Sequence, residues 1–252
     1  MNKNSNTYII IYSTVMVVVV AILLAVAALS LQDRQYENEL NEKKTNILQA
    51  LGAEEGANFD QLVKAYVVEN GQQTETSAED VFNMMKTNKD LRDNYKAGKL
   101  FLFKDNEGRV VIPMVGMGLW GDIWGYIALE QDMNTVAGIV MAHKGETPGL
   151  GAEIATPKHQ DLYKGKTIFE GDEFVGVTLR KGGAQNPAHE VDAISGGTKT
   201  SDGVSAMIKD CVGAYVSVLK ASPATDAVEP CAEACCAAAQ AECETNKVEN
   251  NE

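Results

Sequence analysis

The sequence predicts an α+β fold in which one N-terminal transmembrane helix precedes a domain with an antiparallel sheet and flanking helices. Ile9–Leu31 is almost continuously apolar, several segments between Leu100 and Leu179 have strand-like composition, and apolar residues recur every three or four positions from Val204 to Leu219. The predicted boundaries are a membrane anchor over 1–32, a helical leader packed on the domain over 33–90, the main domain over 91–221 and a disordered, acidic, cysteine-containing tail over 222–252.

Length and charge limit the classes of function. The chain has 252 residues and a net charge of −13, and the part between the apolar segment and the tail is long enough for one domain with its own core. An acidic surface repels phosphate backbones, and the sequence contains no basic cluster. Binding to nucleic acid is therefore not expected.

The apolar segment is interpreted as a retained membrane anchor. No charged residue occurs from Thr7 to Gln32, and the 23 residues Ile9–Leu31 would span about 34 Å as a helix, against a hydrocarbon core of about 30 Å. A cleaved signal peptide is the alternative, because Ala25-Val26-Ala27 loosely fits a cleavage site. Signal-peptide apolar regions usually have about 7–15 residues, so the longer segment favours the anchor.

Charge leaves the orientation of this anchor open. Lys3 precedes the apolar segment, whereas Arg34, Lys43 and Lys44 follow it. This distribution of basic residues weakly disfavours a cytoplasmic N-terminus. Long domains are translocated despite such charges.

Local patterns predict the elements of the leader and the sheet. Asp33–Leu51 has apolar residues on one helical face, and Glu54–Thr87 is predicted as short helices and loops. The predicted strands are Leu100–Phe103 and Val110–Ile112, joined as a hairpin, followed by Tyr126–Leu129, Val136–Ala142 and Phe174–Leu179.

The last predicted helix has the strongest periodicity. Val204 to Leu219 present one apolar face, Thr200 or Ser201 is expected to cap the N-terminus, and Asp202 is expected in the first turn. Within this helix Cys211 is the only cysteine of the folded part, so the domain is not expected to depend on disulfides.

The other four cysteines lie in the acidic tail. Cys231, Cys235 and Cys236 raise the alternative of a metal site, but no histidine or second well-spaced pair accompanies them. The prediction is a disordered tail without a metal.

The segment Asp192–Ser201 is predicted to bind a phosphate. It is a glycine-containing loop that leads into the N-terminus of the last helix, where free backbone N–H groups and the helix dipole favour an anion. Gly196 and Gly197 permit close approach, and Lys199 adds positive charge. The alternative is an ordinary helix start after a glycine turn.

The same segment resembles the flavinylation motif of the covalent-FMN-binding domain family. Asp192, Ser195, Gly196, Gly197 and Thr198 fill the motif, although alanine is more frequent than glycine at position 197. Glycine at this position is expected to loosen the loop without removing the hydroxyl. The resemblance implies that a flavin transferase joins the phosphate of FMN to the Thr198 hydroxyl as a phosphoester.

Two further segments resemble the same family. Gly118–Ile123 is similar to its Gly-Leu-Trp-Gly stretch, and His143–Gly151 contains its Glu-Thr-Pro-Gly-Leu-Gly loop. Order and spacing agree over roughly residues 1–221. From the resemblance and from the features of the helix start together, the predicted cofactor-binding residues are Asp192, Ser195, Gly196, Gly197, Thr198, Lys199, Thr200, Leu119, Trp120, Glu146, Thr147, Gly149 and Leu150.

Within these segments, apolar and backbone groups have different expected roles. Leu119, Trp120 and Leu150 would supply apolar surface for the isoalloxazine ring, and the Thr147–Gly151 loop would bring backbone donors to ring oxygens. The alternatives are a core position for Trp120 and a plain turn for the loop. Thr200 is expected to serve the helix start, so that Thr200→Ala would leave the flavin attached.

The resemblance further implies a place in a redox complex. The chain is similar to the C subunits of Na+-translocating NADH:quinone reductases, which implies a one-electron flavin relay towards quinone with coupled Na+ export. It also implies a six-subunit assembly in the inner membrane with the flavin domain in the periplasm. No G-x-G-x-x-G follows a predicted strand, so this chain is not expected to bind NADH itself. No catalytic residue is predicted.

Three alternatives remain at this point. They are the G subunit of the related ion-translocating ferredoxin:NAD+ oxidoreductase complex, a non-redox membrane-tethered binding module, and a serine hydrolase that uses Ser195, Asp192 and one of the three histidines. The hydrolase is disfavoured because its nucleophile elbow requires glycine at position 193, which is alanine.

Overall fold

A computed structural model describes residues 6–54 and 56–221. Its first element, α1, is a continuous helix of 45 residues from Asn6 to Ala50. An 18-residue window in it has a mean hydropathy of 3.0 and is not buried by the rest of the chain; within the described residues it is the single helix long and apolar enough to cross a membrane. The predicted Asp33–Leu51 helix thus continues directly from the anchor. Neither proline nor glycine interrupts this stretch, so no residue breaks the helix between the two parts.

The centre of the domain is an antiparallel six-stranded sheet with the order β2-β1-β3-β4-β5-β6. The predicted strands from Leu100 to Ala142 are confirmed as parts of longer ones. The strands are β1 (Val63–Glu69), β2 (Gln72–Thr76), β3 (Lys99–Asp105), β4 (Val110–Met117), β5 (Asp122–Leu129) and β6 (Val136–His143).

The prediction of helices and loops over Glu54–Thr87 is wrong for the β1–β2 hairpin. β1 pairs with β3, so the predicted leader adds two strands to the main sheet. The two-residue turn Asn70-Gly71 has positive φ at both residues, as a type I′ hairpin turn requires. β2 reads Gln-Gln-Thr-Glu-Thr and is an exposed edge strand, so it has no apolar alternation that could reveal it.

Helices and the end of α1 cover one face of the sheet. They are α2 (Phe59–Leu62), α3 (Ala78–Met84) and α4 (Asn88–Lys96), and the hydroxyl groups of Ser77 and Thr87 cap α3 and α4. The buried cluster on this face has an aromatic centre in which the rings of Phe82 and Phe103 stack.

The opposite face is covered by two helices near the end of the described chain, α6 (Thr198–Gly213) and α7 (Val216–Ala221); a short helix, α5 (Pro157–Gln160), precedes them in the chain. The single predicted helix is therefore broken after Gly213. At the break, the hydroxyl of Tyr215 accepts from the N–H of Phe101 and donates to its carbonyl, which ties the break to β3. Burial raises the pKa of the Cys211 thiol to about 11, so this group is protonated at neutral pH.

The N-terminus of α6 also differs from the prediction. The N-cap residue is Gly197, with no side-chain cap, and the first turn contains no acidic residue. Thr200 and Ser201 are buried within the first turn and do not precede it. Asp202 lies one position beyond that turn.

The segment between β6 and α6 is made of short elements. The predicted strand Phe174–Leu179 is two separate strands, because Gly176 has a φ of +68° and interrupts it. The elements are α5 (Pro157–Gln160), 3-10 turns at Gly151–Ala155 and Asp161–Tyr163, and the strands β7 (Phe169–Glu170), β8 (Glu173–Phe174), β9 (Thr178–Arg180) and β10 (Glu190–Asp192).

Two predictions concern residues outside the described ranges. Lys3, used in the orientation argument, and the tail over 222–252 with its four cysteines both lie there. The predicted domain boundaries remain predictions, although the sheet itself crosses the boundary at residue 90.

Candidate functional site

The three sequence motifs meet at one end of the sheet. β4, β5 and β6 are antiparallel neighbours, so the β4–β5 turn and the loop after β6 lie at the same end of the strands. α6 crosses β4, and its N-terminus lies at this end of the sheet. Gly203 makes this approach close, because a Cβ atom there would overlap the carbonyl oxygen of Met117.

A cavity of about 150 Å³ lies where the three motifs meet. Its lining is formed by nine of the predicted site residues and by Gly151, which the prediction included only as part of the loop. The lining residues are Leu119, Glu146, Thr147, Leu150, Gly151, Gly196, Gly197, Thr198, Lys199 and Thr200. Larger cavities of about 490 and 500 Å³ lie beside α1, and no motif residue lines them.

Thr198 is the first residue of α6 and is exposed to solvent. Gly197, at the N-cap position, has no side chain that could accept the backbone N–H groups of the first turn. Lys199 is exposed beside Thr198. A residue with a hydroxyl, a helix start with free N–H groups and a lysine thus line the same cavity, a combination that suits a phosphate ester.

The backbone ahead of α6 is closely packed at its glycines. Gly196 has a φ of +74°, and a Cβ atom there would lie 2.6 Å from Cδ2 of Leu150. A Cβ on Gly197 would lie 2.9 Å from the side chain of Ile194. Glycine in place of alanine at position 197 therefore does not loosen the loop, since this glycine is buried in contact with its neighbours.

Glu146 is buried at the back of the cavity, with 4% of its surface exposed. One carboxylate oxygen accepts the backbone N–H of Trp120 at 2.9 Å, and the other accepts the hydroxyl of Thr200 at 2.6 Å. The backbone N–H of Glu146 in turn donates to Nδ1 of His143 at 3.2 Å. The carboxylate therefore joins all three motifs.

An apolar surface borders the cavity. The exposed fractions are 58% for Met117, 55% for Leu119, 68% for Trp120 and 41% for Leu150. Outside α1, the described part of the chain has five exposed large hydrophobic residues, and four of them are in this surface. The alternative of a core position for Trp120 is wrong. Such a concentration of exposed apolar side chains is typical of a binding surface.

Three other predicted site residues do not line the cavity. Asp192 is exposed and accepts the backbone N–H of Ala184 at 2.8 Å, so it stabilises a neighbouring loop. Ser195 is exposed, and Gly149 occupies an exposed turn with a φ of +73°. Their roles towards a cofactor stay predictions.

Two contacts that support the site have no counterpart among the sequence-based predictions. The guanidinium of Arg92, in α4, pairs with Asp122 and donates to the carbonyl of Gly116 at 3.2 Å, which braces the β4–β5 turn. The hydroxyl of Ser201 accepts the N–H of Ile194 at 3.1 Å, which fixes the loop ahead of α6. Asp122 directly follows the Gly-Leu-Trp-Gly motif, but no local signal indicates its partner 30 residues away.

The described contacts do not support a serine hydrolase. The ring nitrogens of His143, His159 and His189 bond to Glu146, Tyr163 and Thr167 respectively. None of these partners is Ser195, so a base for this hydroxyl is absent from the described hydrogen bonds.

Comparisons with known proteins agree with the geometry. Residues 118–213 match the FMN-binding domain family. The C subunit of the Na(+)-translocating NADH-quinone reductase of Haemophilus ducreyi is 32% identical over 257 residues, covering 88% of this chain and 97% of that protein. The same subunit from Pseudomonas aeruginosa is 30% identical over 255 residues, covering 87% of this chain and 98% of that protein.

Solved structures show the same similarity. The C subunit of the Na(+)-translocating NADH-quinone reductase from Parabacteroides distasonis has a TM-score of 0.67 and 34% identity, and the match covers 77% of this chain and 98% of that one. NqrC of Shewanella oneidensis has a TM-score of 0.61 and 26% identity, covering 74% and 100%. The chain therefore belongs to the family of C subunits of the Na(+)-translocating NADH-quinone reductase, an oxidoreductase complex, and contains the FMN-binding domain of that family.

Proposed function

We propose that this chain carries FMN as a phosphoester on Thr198 and relays electrons within a Na+-translocating NADH:quinone reductase, towards quinone and coupled to Na+ export. The observation that carries the proposal is the exposed Thr198 hydroxyl at the uncapped start of α6, in a cavity that the other two family motifs complete. When bound, FMN supplies the redox chemistry, and the chain supplies attachment, position and surroundings.

The residues at the cavity fit the phosphate end of FMN. Small-molecule pockets usually have about 300–1,000 Å³, so a cavity of about 150 Å³ accommodates only part of a flavin nucleotide. Free N–H groups at the start of α6 and the Lys199 ammonium favour the phosphate there. At Gly151 and Gly196 neighbouring side chains pack directly on the backbone of the cavity wall, since Cβ atoms at both positions would overlap them.

The exposed apolar residues fit the ring end. Leu119 and Leu150 line the cavity and continue outwards to Met117 and Trp120, so a ring attached at Thr198 has apolar surface within reach. The part of this surface that the ring leaves uncovered is proposed as a contact surface for other subunits of the complex. A flavin transferase is proposed as the partner that forms the phosphoester.

The packing of α1 supports a flavin site that faces the membrane. Ala50, the last residue of α1, lies against Gly138 near the start of β6, because a Cβ on Gly138 would overlap its carbonyl oxygen. Glu42, two turns earlier in α1, lines the same cavity as Tyr126 of β5. Tyr126 pairs with Val140, which is closer than Gly138 to the end of β6 at His143. The membrane-proximal part of α1 and the flavin end of the sheet therefore point in the same direction.

Lengths are consistent with this direction. The last apolar residue of the membrane segment, Leu31, precedes Ala50 by 19 residues, or about 28 Å of helix. The strand from Gly138 to His143 advances by five residues, or about 17 Å, and the Lys144–Leu150 loop extends beyond it. The site is thus proposed to lie close to the membrane surface, where cofactors of membrane-embedded subunits are accessible.

The proposal predicts how the flavin responds to NADH. In the complete complex, purified in detergent, the fluorescent flavin covalently bound to this chain is expected to be reduced after addition of NADH. The isolated full-length chain is expected to stay oxidised, because it offers no dinucleotide-binding motif. Stopped-flow absorbance measures both. Reduction of the isolated chain at the rate of the complex would contradict the relay.

The proposed topology is an inner-membrane anchor with the flavin domain in the periplasm. Alkaline phosphatase, which is active only after export, is expected to be active when fused after Ala221, the last residue of α7. The matched control lacks residues 1–32 and is expected to be inactive, because α1 is the candidate export and anchor segment. An inactive full-length fusion whose fluorescent-protein counterpart is bright would place the domain in the cytoplasm instead.

A further inference from the structure

We propose that Glu146 is a positioning residue of the flavin site, whose carboxylate aligns the three motifs and whose negative charge keeps the flavin midpoint potential low. This inference rests on the proposed attachment of FMN at Thr198. The alignment of the three motifs by Glu146, however, depends only on contacts within the chain, and it can be measured without flavin.

The contacts of Glu146 connect segments that are distant in sequence. Trp120 belongs to the β4–β5 turn, Glu146 to the loop after β6, and Thr200 to the first turn of α6; the last two are 54 residues apart. Both donors reach the same buried carboxylate, one at each oxygen. A carboxylate with two acceptor oxygens is the side chain that satisfies two donors in this way.

Two glycines make room for this carboxylate. A Cβ atom on Gly118 would lie 2.5 Å from Oε1 of Glu146, and one on Gly151 would overlap Oε2 and the hydroxyl of Thr200. Neither glycine has a positive φ, so close approach to the carboxylate, not backbone conformation, is what requires glycine at these positions. The backbones of the Gly118–Ile123 and His143–Gly151 motifs are thus shaped around the Glu146 side chain.

The hydrogen bonds also keep Glu146 away from the phosphate donors. Its oxygens accept the N–H of Trp120 and the hydroxyl of Thr200, and none of the described hydrogen bonds joins them to the helix N–H groups next to Thr198. Glu146 nevertheless lines the same cavity as Thr198. A negative charge buried near a flavin disfavours the addition of electrons to it, because Coulomb interactions are strong in low-dielectric surroundings.

Replacement by glutamine separates charge from shape. Glu146→Gln keeps an oxygen for the Trp120 N–H and a polar group next to Thr200, but it removes the charge. The variant is expected to retain covalent flavin and to have a more positive midpoint potential, measured by spectroelectrochemistry of the full-length chain. Glu153→Gln is the matched control: this half-buried glutamate lies in the adjacent 3-10 turn and is not among the residues that line the cavity at Thr198, so the potential is expected to stay unchanged.

Truncation tests alignment. Glu146→Ala removes the acceptor of the hydrogen bond between Thr200 and Glu146, and Thr200→Val removes its donor. Thr200→Ser keeps the donor hydroxyl. In a flavin-free Thr198→Ala background, Glu146→Ala is expected to speed hydrogen exchange of the Trp120 amide by about tenfold or more, since a buried, charge-assisted hydrogen bond is lost. Thr200→Val is expected to speed it less, and Thr200→Ser not at all.

The outcomes are separable from those of the proposed function. Unchanged exchange of the Trp120 amide in Glu146→Ala would overturn the positioning role, whether or not FMN binds. An unchanged potential in Glu146→Gln, with flavin attached, would overturn the electrostatic role. A wild-type chain without covalent flavin, but with the expected exchange pattern, would instead overturn the attachment at Thr198 and leave the alignment by Glu146 in place.

Discussion

Replacing Thr198 with alanine is expected to remove covalent flavin completely from the chain. The change deletes the one atom through which the phosphoester is proposed to form, the exposed hydroxyl at the start of α6. The full-length chain, expressed with a flavin transferase, is separated by denaturing electrophoresis and viewed under ultraviolet light. The wild-type band is expected to fluoresce, and the peptide containing Thr198 is expected to carry the mass of FMN minus water.

Stability should not change with this loss. Thr198 is exposed, and substitutions at such positions usually alter the free energy of unfolding by less than about 0.5 kcal/mol. The matched control is Thr200→Ser, two residues later, which keeps the hydroxyl bond to Glu146 and is expected to leave the fluorescence intact. A fluorescent Thr198→Ala band would show that the flavin is attached at another residue.

Thr200→Ala is still expected to leave the flavin attached, as the sequence predicts, but the structure gives a different reason. The sequence assigns Thr200 to the helix start, but its hydroxyl is buried and donates to Glu146. The acceptor hydroxyl at Thr198 remains in that variant, so the fluorescent band is still expected. Any decrease in its intensity would reflect misalignment of the site.

Replacing Gly203 with alanine is expected to have the second-largest effect. The new Cβ atom would overlap the backbone oxygen of Met117, which cannot move without shifting the β4–β5 turn. Overpacking of this kind usually destabilises a protein by about 1–3 kcal/mol, which would lower the melting temperature by about 2–4 °C for each kcal/mol. Displacement of α6 from the turn is also expected to reduce flavin attachment.

Gly213 provides the matched control in the same helix. A Cβ atom there would lie 3.3 Å from Cε1 of Phe174, a side-chain atom, whereas the atom that a Cβ on Gly203 would overlap belongs to the backbone. Alanine favours helix over glycine by about 1 kcal/mol, so Gly213→Ala is expected to preserve or raise the melting temperature. Circular dichroism of both full-length variants in detergent measures the difference. Equal melting temperatures for the two variants would mean that α6 does not pack on the turn as described.

Helices and strands are predicted correctly where the apolar pattern of their own residues is enough to identify them. α1 follows from its apolar length and its lack of breakers, and the β3–β4 hairpin follows from two apolar runs around a turn. The start of the last helix is located to within a few residues because glycines precede it. The break after Gly213 escapes prediction, since the apolar periodicity continues through it and the bond of Tyr215 to β3 is not local.

Strand pairing, and not apolar periodicity, explains why β2 is a strand. β2 contains no apolar residue and becomes a strand only because β1 offers it backbone partners. The Asn70-Gly71 turn is the one usable local signal for this hairpin, and without alternation in β2 it does not by itself predict a strand. Edge strands with polar composition are a general case of this kind, since their stability comes from a neighbour's hydrogen bonds.

The sequence by itself predicted the anchor, the α+β class, the family and the hydroxyl proposed to hold the flavin, because each is indicated by short segments of consecutive residues. Only the tertiary structure decided that the motifs at 118, 146 and 198 share one cavity, that Trp120 is exposed, and that Glu146 joins the motifs. These features depend on contacts between segments tens of residues apart. Such contacts are set by sheet order and helix packing, and no local pattern of residues encodes them.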